Sequence, residues 1–236
     1  MPYNAAMYNK ERVAAIIAAA GSSERMHGVD KIFAHLGNRP VLARAVFPFE
    51  CAEVVDRIIV VLSPDNLAAG EALSDSEKWG KVTDIIPGGE RRQDSVQQAL
   101  DRLADDDIKW VIIHDGARPL VRVEQIEDGM TAVQATGAAV CAVPVTDTIK
   151  LAGENSFIQE TPDRSRLWNA QTPQIFRYDL IRRAYDAASG TVTDDSILVE
   201  RLGVPVKLYK GSPANVKITT PESLAAAEII VRRHAE

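Results

Sequence analysis

The chain is poor in the features that mark several common protein classes. It has two cysteines in 236 residues, Cys51 and Cys141. Both sit among apolar neighbours without metal spacing, so each is expected to be a buried free thiol in a reducing compartment. No apolar stretch reaches the roughly 18 residues of a membrane span. The opening Met1-Pro2-Tyr3-Asn4 lacks the apolar segment of a secretion signal and the Arg/Ser bias of a transit peptide. Residues 1–10 therefore read as the loose tail of a cytoplasmic protein. An excess of basic residues is missing as well: the net charge of −6 argues against a nucleic-acid partner. Glycine-rich phosphate fingerprints are also absent. Nothing matches G-x-x-x-x-G-K-[ST], and Gly21 has no companion glycines at the dinucleotide-motif offsets.

What is present is ordinary for a soluble globular chain, 46% hydrophobic and 25% charged residues. The length suits one large α/β domain or two small ones. No linker or internal repeat divides it, which favours a single domain over 1–236. The stretch that organises the rest is Ile16-Ile17-Ala18-Ala19-Ala20-Gly21-Ser22-Ser23-Glu24-Arg25-Met26, with Lys31 beyond it. Residues 13–20 read as a buried strand. Ala19, Ala20 and Gly21 leave little side-chain bulk at its end, so a ligand can lie against the backbone. Backbone N–H groups in such a turn suit an anion, and Arg25 and Lys31 add positive charge. The bland alternative is tight packing with both cations solvated.

Strand and helix patterns then alternate. A loop runs to about residue 39, and Pro40 opens a helix at its first position. Strands are predicted at 57–62, 82–86, 109–114 and 138–143, with helices near 65–73, 92–103 and 123–135. Short connections imply a mostly parallel sheet covered on both faces, a Rossmann-like α/β fold whose ligand lies beyond the carboxyl ends of the strands. Loops 18–25, 87–95 and 115–119 should converge there. The alternation breaks at Pro144. Residues 145–168 are too polar and too short for another βαβ unit and suggest a protruding β-arm whose edges need a partner, such as a second subunit. Helical signals resume at Tyr178, and Thr193 is a candidate cap for a short helix before Gly203. Residues 204–207 and 216–219 look like strands, and Thr220-Pro221 starts the last helix.

On local grounds the remaining polar residues divide. Gly88-Gly89-Glu90-Arg91-Arg92 is either a turn before a helix or a backbone edge that approaches a base, with Ser95 one turn on. Asp115 and Arg118 form either an internal pair bracing a turn or a site for a ribose hydroxyl or a metal's water shell. His114 reads as structural. Asp194 and Asp195 fit the first turn of a helix. Arg164 and Lys217 look like surface cations.

Taken together, these motifs resemble a family. Ala19-Ala20-Gly21-x-x-x-Arg25-Met26 with Lys31, and Gly88-Gly89-x-x-Arg92-x-x-Ser95-Val96, resemble nucleotidyltransferases that activate sugar and polyol phosphates. His114-Asp115-Gly116-Ala117-Arg118-Pro119, Asp147-Thr148-Ile149-Lys150, Asp163-Arg164-x-x-Leu167-Trp168 and Gln171-Thr172-Pro173-Gln174 narrow the likeness. With Thr193-Asp194-Asp195 and Asn215-Val216-Lys217-Ile218-Thr219 it becomes a resemblance to the 2-C-methyl-D-erythritol 4-phosphate cytidylyltransferase family, from about residue 13 to 230. The resemblance implies a transferase joining CTP and methylerythritol phosphate, with Mg²⁺, working as a homodimer whose β-arms cross between subunits. It implies catalytic roles for Arg25, Lys31, Arg164 and Lys217. Ala18, Ala19, Ala20, Gly21, Ser22, Ser23, Gly89, Glu90, Ser95 and Gly116 would surround the nucleotide. Asp115, Arg118, Thr148 and Thr172 would line the acceptor site, with Thr148 and Arg164 reaching it from the partner's arm. The metal would be held mainly by CTP phosphates, with Asp115 touching it through water. Two departures stand out: Ser23 replaces a glycine of the family loop, and Gly116 replaces an alanine. The nearest rival is a ribitol 5-phosphate cytidylyltransferase. A dinucleotide-dependent oxidoreductase and a catalytically silent binding protein of the same fold are the rivals from other classes.

Overall fold

The computed structural model describes residues 11–21 and 31–235. The expected tail, and the loop residues Ser22, Ser23 and Arg25, lie outside them. The elements in chain order are β1 (Arg12–Ala18), β2 (His35–Leu36), β3 (Arg39–Pro40), α1 (Val41–Cys51), β4 (Arg57–Leu62), α2 (Leu67–Glu77), β5 (Val82–Pro87), α3 (Arg92–Arg102), β6 (Ile108–Asp115), α4 (Val123–Val133) and β7 (Ala138–Pro144). There follow β8 (Leu151–Ala152), β9 (Ile158–Glu160), β10 (Trp168–Arg177), α5 (Tyr178–Asp186), α6 (Ser196–Arg201), β11 (Lys207–Lys210) and α7 (Pro221–Ala235).

One seven-stranded sheet carries the fold, in the order β11-β7-β10-β6-β1-β4-β5. All its neighbours run parallel except β10, which is antiparallel to both β6 and β7. The central strands are apolar at nearly every position because both faces are covered. In β1, Val13, Ala15 and Ile17 pack with Leu42, Phe49 and Met130 on one face. Ala14 and Ile16 pack with Val96, Leu100, Ile181 and Leu198 on the other. A smaller cluster of Leu36, Val41, Ile218 and Ala227 seats α7.

Several expectations need correction. Pro40 caps α1 from outside rather than filling its first position. Cys141 is buried, but Cys51 closes α1 and is exposed. The edge strand begins at Lys207, not Val204, where it pairs with Ala139 of β7. Residues 216–219 form no strand: Ile218 N–H donates to the Ala117 carbonyl at 2.8 Å, and no ladder develops. Thr193 does not cap α6; Asp195 is its N-cap residue, and Asp194 accepts the Ser196 N–H at 2.8 Å. At α7 the expected cap is present, with Ser223 N–H donating to Thr220 Oγ1. Residues 145–168 contain a separate two-stranded sheet, β8 with β9, that pairs with no strand of the main sheet. The sequence pattern missed β10 altogether.

Candidate functional site

The carboxyl ends of β1 and β6 lie side by side, with Ala18 opposite Asp115. Two glycines let neighbouring loops close on them. Gly116 N–H donates to the Ala18 carbonyl at 2.9 Å. A Cβ there would stand 2.7 Å from Ala19 Cβ, so a side chain would push the two loops apart. Gly88, which follows β5, donates to the Leu62 carbonyl at 2.7 Å. A Cβ on it would meet Ala20 Cβ at 2.4 Å and Ser95 Oγ at 2.5 Å. These close approaches shape a cavity of about 280 Å³ whose wall includes Ala18–Gly21, Lys31, Glu90, Arg92, Asp115 and Lys217.

Asp115 is the electrostatic centre of the cavity. Lys217 Nζ lies 2.7 Å from its Oδ2, Arg92 Nε 2.8 Å from its Oδ1, and Arg118 Nε 3.7 Å from its Oδ2. Burial by itself would raise this carboxyl's pKa, but Arg92 and then Lys217 outweigh it and hold Asp115 ionised far below the ordinary range. Arg92 is likewise opposed by burial, yet Asp195 and Asp115 keep its guanidinium firmly protonated. For Arg118 burial wins over Asp115, and its pKa is lowered. On the opposite wall, a Cβ built on Gly21 would lie 3.9 Å from Lys31 Nζ, which puts that ammonium at the end of β1.

A buried relay sets Asp115 from behind. Asp115 N–H donates to Thr172 Oγ1 at 3.0 Å, and Thr172 Oγ1 lies 3.0 Å from His114 Nδ1. His114 Nε2 is 3.0 Å from the Arg118 carbonyl, which can only accept, so Nε2 carries the proton and Nδ1 takes the Thr172 hydroxyl proton. The ring is fully buried, and desolvation lowers its pKa to about 4. Asn215, also buried, donates to the Thr172 carbonyl at 2.8 Å and accepts Arg118 Nη1 at its own carbonyl at 2.8 Å. The segment that looked like a strand is thus anchored at Asn215 and Ile218, and it delivers Lys217 to the cleft between them.

The comparisons with known proteins identify the family of the chain. The family model for 2-C-methyl-D-erythritol 4-phosphate cytidylyltransferase matches residues 13–233. A protein of that name from Dehalococcoides mccartyi is 45% identical over 227 residues, covering 96% of this chain and 99% of the relative. The chain belongs to this family. A relative of the same name from Caldanaerobacter subterraneus is 44% identical over 226 residues, 94% of this chain and 99% of its own. Among solved structures, a 4-diphosphocytidyl-2C-methyl-D-erythritol synthase from Anaerococcus prevotii superposes with a TM-score of 0.87 at 30% identity, covering 98% of this chain and all of its own. The Thermus thermophilus cytidylyltransferase gives 0.76 at 30% identity over 94% of this chain and 99% of its own.

Of the residues that the family pattern singled out, the cavity wall unites Ala18, Ala19, Ala20, Gly21, Lys31, Glu90, Ser95, Asp115 and Lys217. Gly89 donates its N–H to Ser95 Oγ at 3.2 Å, at the rim. Arg118 and Thr172 stand behind Asp115 rather than on the wall. Thr148 and Arg164 are exposed in the 145–168 segment, where Arg164 Nη1 donates to the Thr146 carbonyl at 2.9 Å. Arg92 was quoted only as part of a motif, yet it is the first residue of α3 and faces two carboxylates. Asp195 was read as a helix-dipole residue and is in fact one of those two. No local pattern announces either role.

Proposed function

We propose that this chain transfers the cytidylyl group of CTP to 2-C-methyl-D-erythritol 4-phosphate, giving CDP-methylerythritol and pyrophosphate, a step of the non-mevalonate route to isoprenoid precursors. The observation that carries the reading is the gathering of Lys31, Arg92 and Lys217 with the small-residue end of β1 in one cleft of an otherwise acidic protein. In the reaction an oxygen of the acceptor's phosphate attacks the α-phosphorus. The new P–O bond forms as the bond to the pyrophosphate oxygen breaks, and the electron pair leaves with pyrophosphate. The attacking phosphate is already ionised, so no side-chain base is required. The obstacle is anion meeting anion, and the protein's part is positioning and electrostatics. In this reading Lys31 and Arg25 act on the α-phosphate. Ala18–Gly21, Ser22 and Ser23, with Gly89, Glu90, Ser95 and Gly116, surround the nucleotide. Asp115 takes the acceptor's hydroxyls, backed by Arg118 and Thr172, while Lys217 draws in its phosphate.

We propose Mg²⁺ as the metal, held by the substrate rather than by protein ligands. Both Asp115 oxygens are engaged by cations, so a divalent ion here would take its ligands from the triphosphate and water, with Asp115 reached through a water. Bound there, it would neutralise phosphate charge. We further propose a cytoplasmic homodimer, one nucleotidyltransferase domain per chain, joined through the 145–168 arm. Phe157, Ile158 and Leu151 are more than half exposed on that segment, an apolar surface that suits a second subunit. Thr148 and Arg164 would then reach the acceptor site of the partner.

The test is pyrophosphate release with CTP and either methylerythritol phosphate or ribitol 5-phosphate, with Mg²⁺ and with a chelator. Turnover should need the metal and favour methylerythritol phosphate. A clear preference for ribitol 5-phosphate overturns the acceptor assignment.

A further inference from the structure

Asp195 is the least expected member of the site. Only 1% of it is exposed. The buried Tyr185 hydroxyl donates to its Oδ1 at 2.5 Å, and Arg92 Nη2 lies 2.8 Å from its Oδ2. The same guanidinium reaches Asp115 through Nε. One planar cation thus spans two buried carboxylates from different parts of the fold, the end of β6 and the N-cap of α6. A guanidinium holds its donors in a rigid fork. Anchored at one edge, it can turn with whatever it touches; anchored at two, its plane is fixed.

The surroundings reinforce the anchor. Val192 N–H donates to Gln93 Oε1 at 3.2 Å, Arg91 Nη1 donates to Thr191 Oγ1 at 3.2 Å, and Gln174 Nε2 donates to Asp194 at 2.7 Å. Residues 191–195 are therefore fastened both to the start of α3, the helix that follows Glu90, and to β10. Stability alone is a weak reason for such an arrangement, because well-packed apolar residues often serve a core as well as buried ion pairs do. Fixing a geometry is the better use.

We propose that Asp195 is a positioning residue for the acceptor substrate: it holds the far edge of Arg92, so that Arg92 in turn fixes the aim of Asp115 into the cleft. This rests on the reading of Asp115 as the acceptor's contact. Tyr185 supports Asp195 from the core, and neither residue touches a substrate.

Steady-state kinetics with both substrates varied test it, on wild type, Asp195→Asn, Tyr185→Phe, Arg92→Lys and the double variant Arg92→Lys/Asp195→Asn, with thermal unfolding of each. Loss of the buried charge that faces Arg92 should raise the methylerythritol phosphate KM about tenfold in Asp195→Asn, with the CTP KM within about twofold of wild type. Tyr185→Phe should shift the same constant about threefold, because one hydrogen bond goes while the ring stays packed. The double variant should be no worse than Arg92→Lys alone. Unchanged acceptor KM in Asp195→Asn and Tyr185→Phe, equal shifts in the two substrates' KM, or additive losses in the double variant would overturn the inference. Should Asp195→Asn fail to fold, Tyr185→Phe carries the test. Wild type without turnover on this acceptor overturns the functional reading and the inference together, an outcome distinct from an altered KM in a working enzyme.

Discussion

The His114 ring predicts how the fold should respond to acid. Its pKa falls from 6.5 to about 4 on folding, chiefly through burial. Between those values the unfolded chain binds a proton that the folded chain refuses, so stability rises with pH across that window. The contribution is complete above pH 6.5 and lost as pH falls to about 4. Its full size is about 3 kcal/mol, with a slope approaching 1.4 kcal/mol per pH unit. The geometry explains why the ring resists: a proton on Nδ1 would face the hydroxyl of Thr172, which already donates there. The carboxylates held low, such as Asp115 and Asp84, begin to lose their stabilising effect only as pH falls into the ordinary carboxylate range, so the upper part of the window belongs to His114. For a chain of this length the loss amounts to roughly 10 °C in Tm between pH 7 and pH 4. Thermal unfolding followed by circular dichroism in buffers from pH 7.5 to 4.5 measures it. His114→Gln should flatten the curve, and Thr172→Ser should leave it as in wild type. A wild-type Tm that stays level down to pH 4.5, or an equal slope in His114→Gln, refutes the reasoning.

The cleft makes further predictions. Lys31→Ala should lower kcat about a thousandfold while CTP affinity changes much less, since a cation at ~4 Å from developing charge is worth about 4 kcal/mol at an effective dielectric near 20; loss in CTP binding alone would make Lys31 a ground-state contact. Gly88→Ala should raise the CTP KM about tenfold and cost about 1–3 kcal/mol of stability, because its Cβ would overlap Ala20; kinetics equal to wild type would show that the loop yields freely. Arg164→Ala should chiefly raise the acceptor KM, and mixing Lys31→Ala and Arg164→Ala chains, at an acceptor concentration too low for turnover by either alone, should restore activity in heterodimers if one site draws on two subunits. Mixtures that stay inactive count against the shared site.

The parts of the fold that the sequence announced are those built by burial on both faces. Val13–Ile17, Ile58–Leu62 and Trp110–Ile113 are continuous apolar runs, and a strand covered on both faces suits them. β10 was invisible for the opposite reason. Its middle carries Gln171, Thr172 and Gln174, all buried, and each of these polar side chains hydrogen-bonds to a distant residue: Ser212, His114 and Asp194. Pattern reading sees polarity, not the tertiary hydrogen bond that makes it tolerable. The site divides in the same way. Lys31, Ser95 and Asp115 stand in motifs at strand ends, where the α/β plan itself directs attention. Arg92 and Asp195 are about a hundred residues apart in the chain and meet only through packing. Cys51 was misplaced because the composition around it is apolar, while its position at the last turn of α1 turns it outward.

β10 joins two regions that the topology otherwise keeps apart. Its first three residues, Trp168 to Ala170, are exposed beside the 145–168 segment, whereas Thr172, four residues past Trp168, is buried against Asp115. The pairing with β7 slips between Ala170 and Gln174, so the strand bends where it enters the cleft. Such a strand acts as a lever with one arm outside and one inside. A foreign hairpin grafted onto this chain should therefore be felt at Thr172 as well as at the seam of the graft. The 145–168 hairpin and the wall behind Asp115 are thus joined through a single strand.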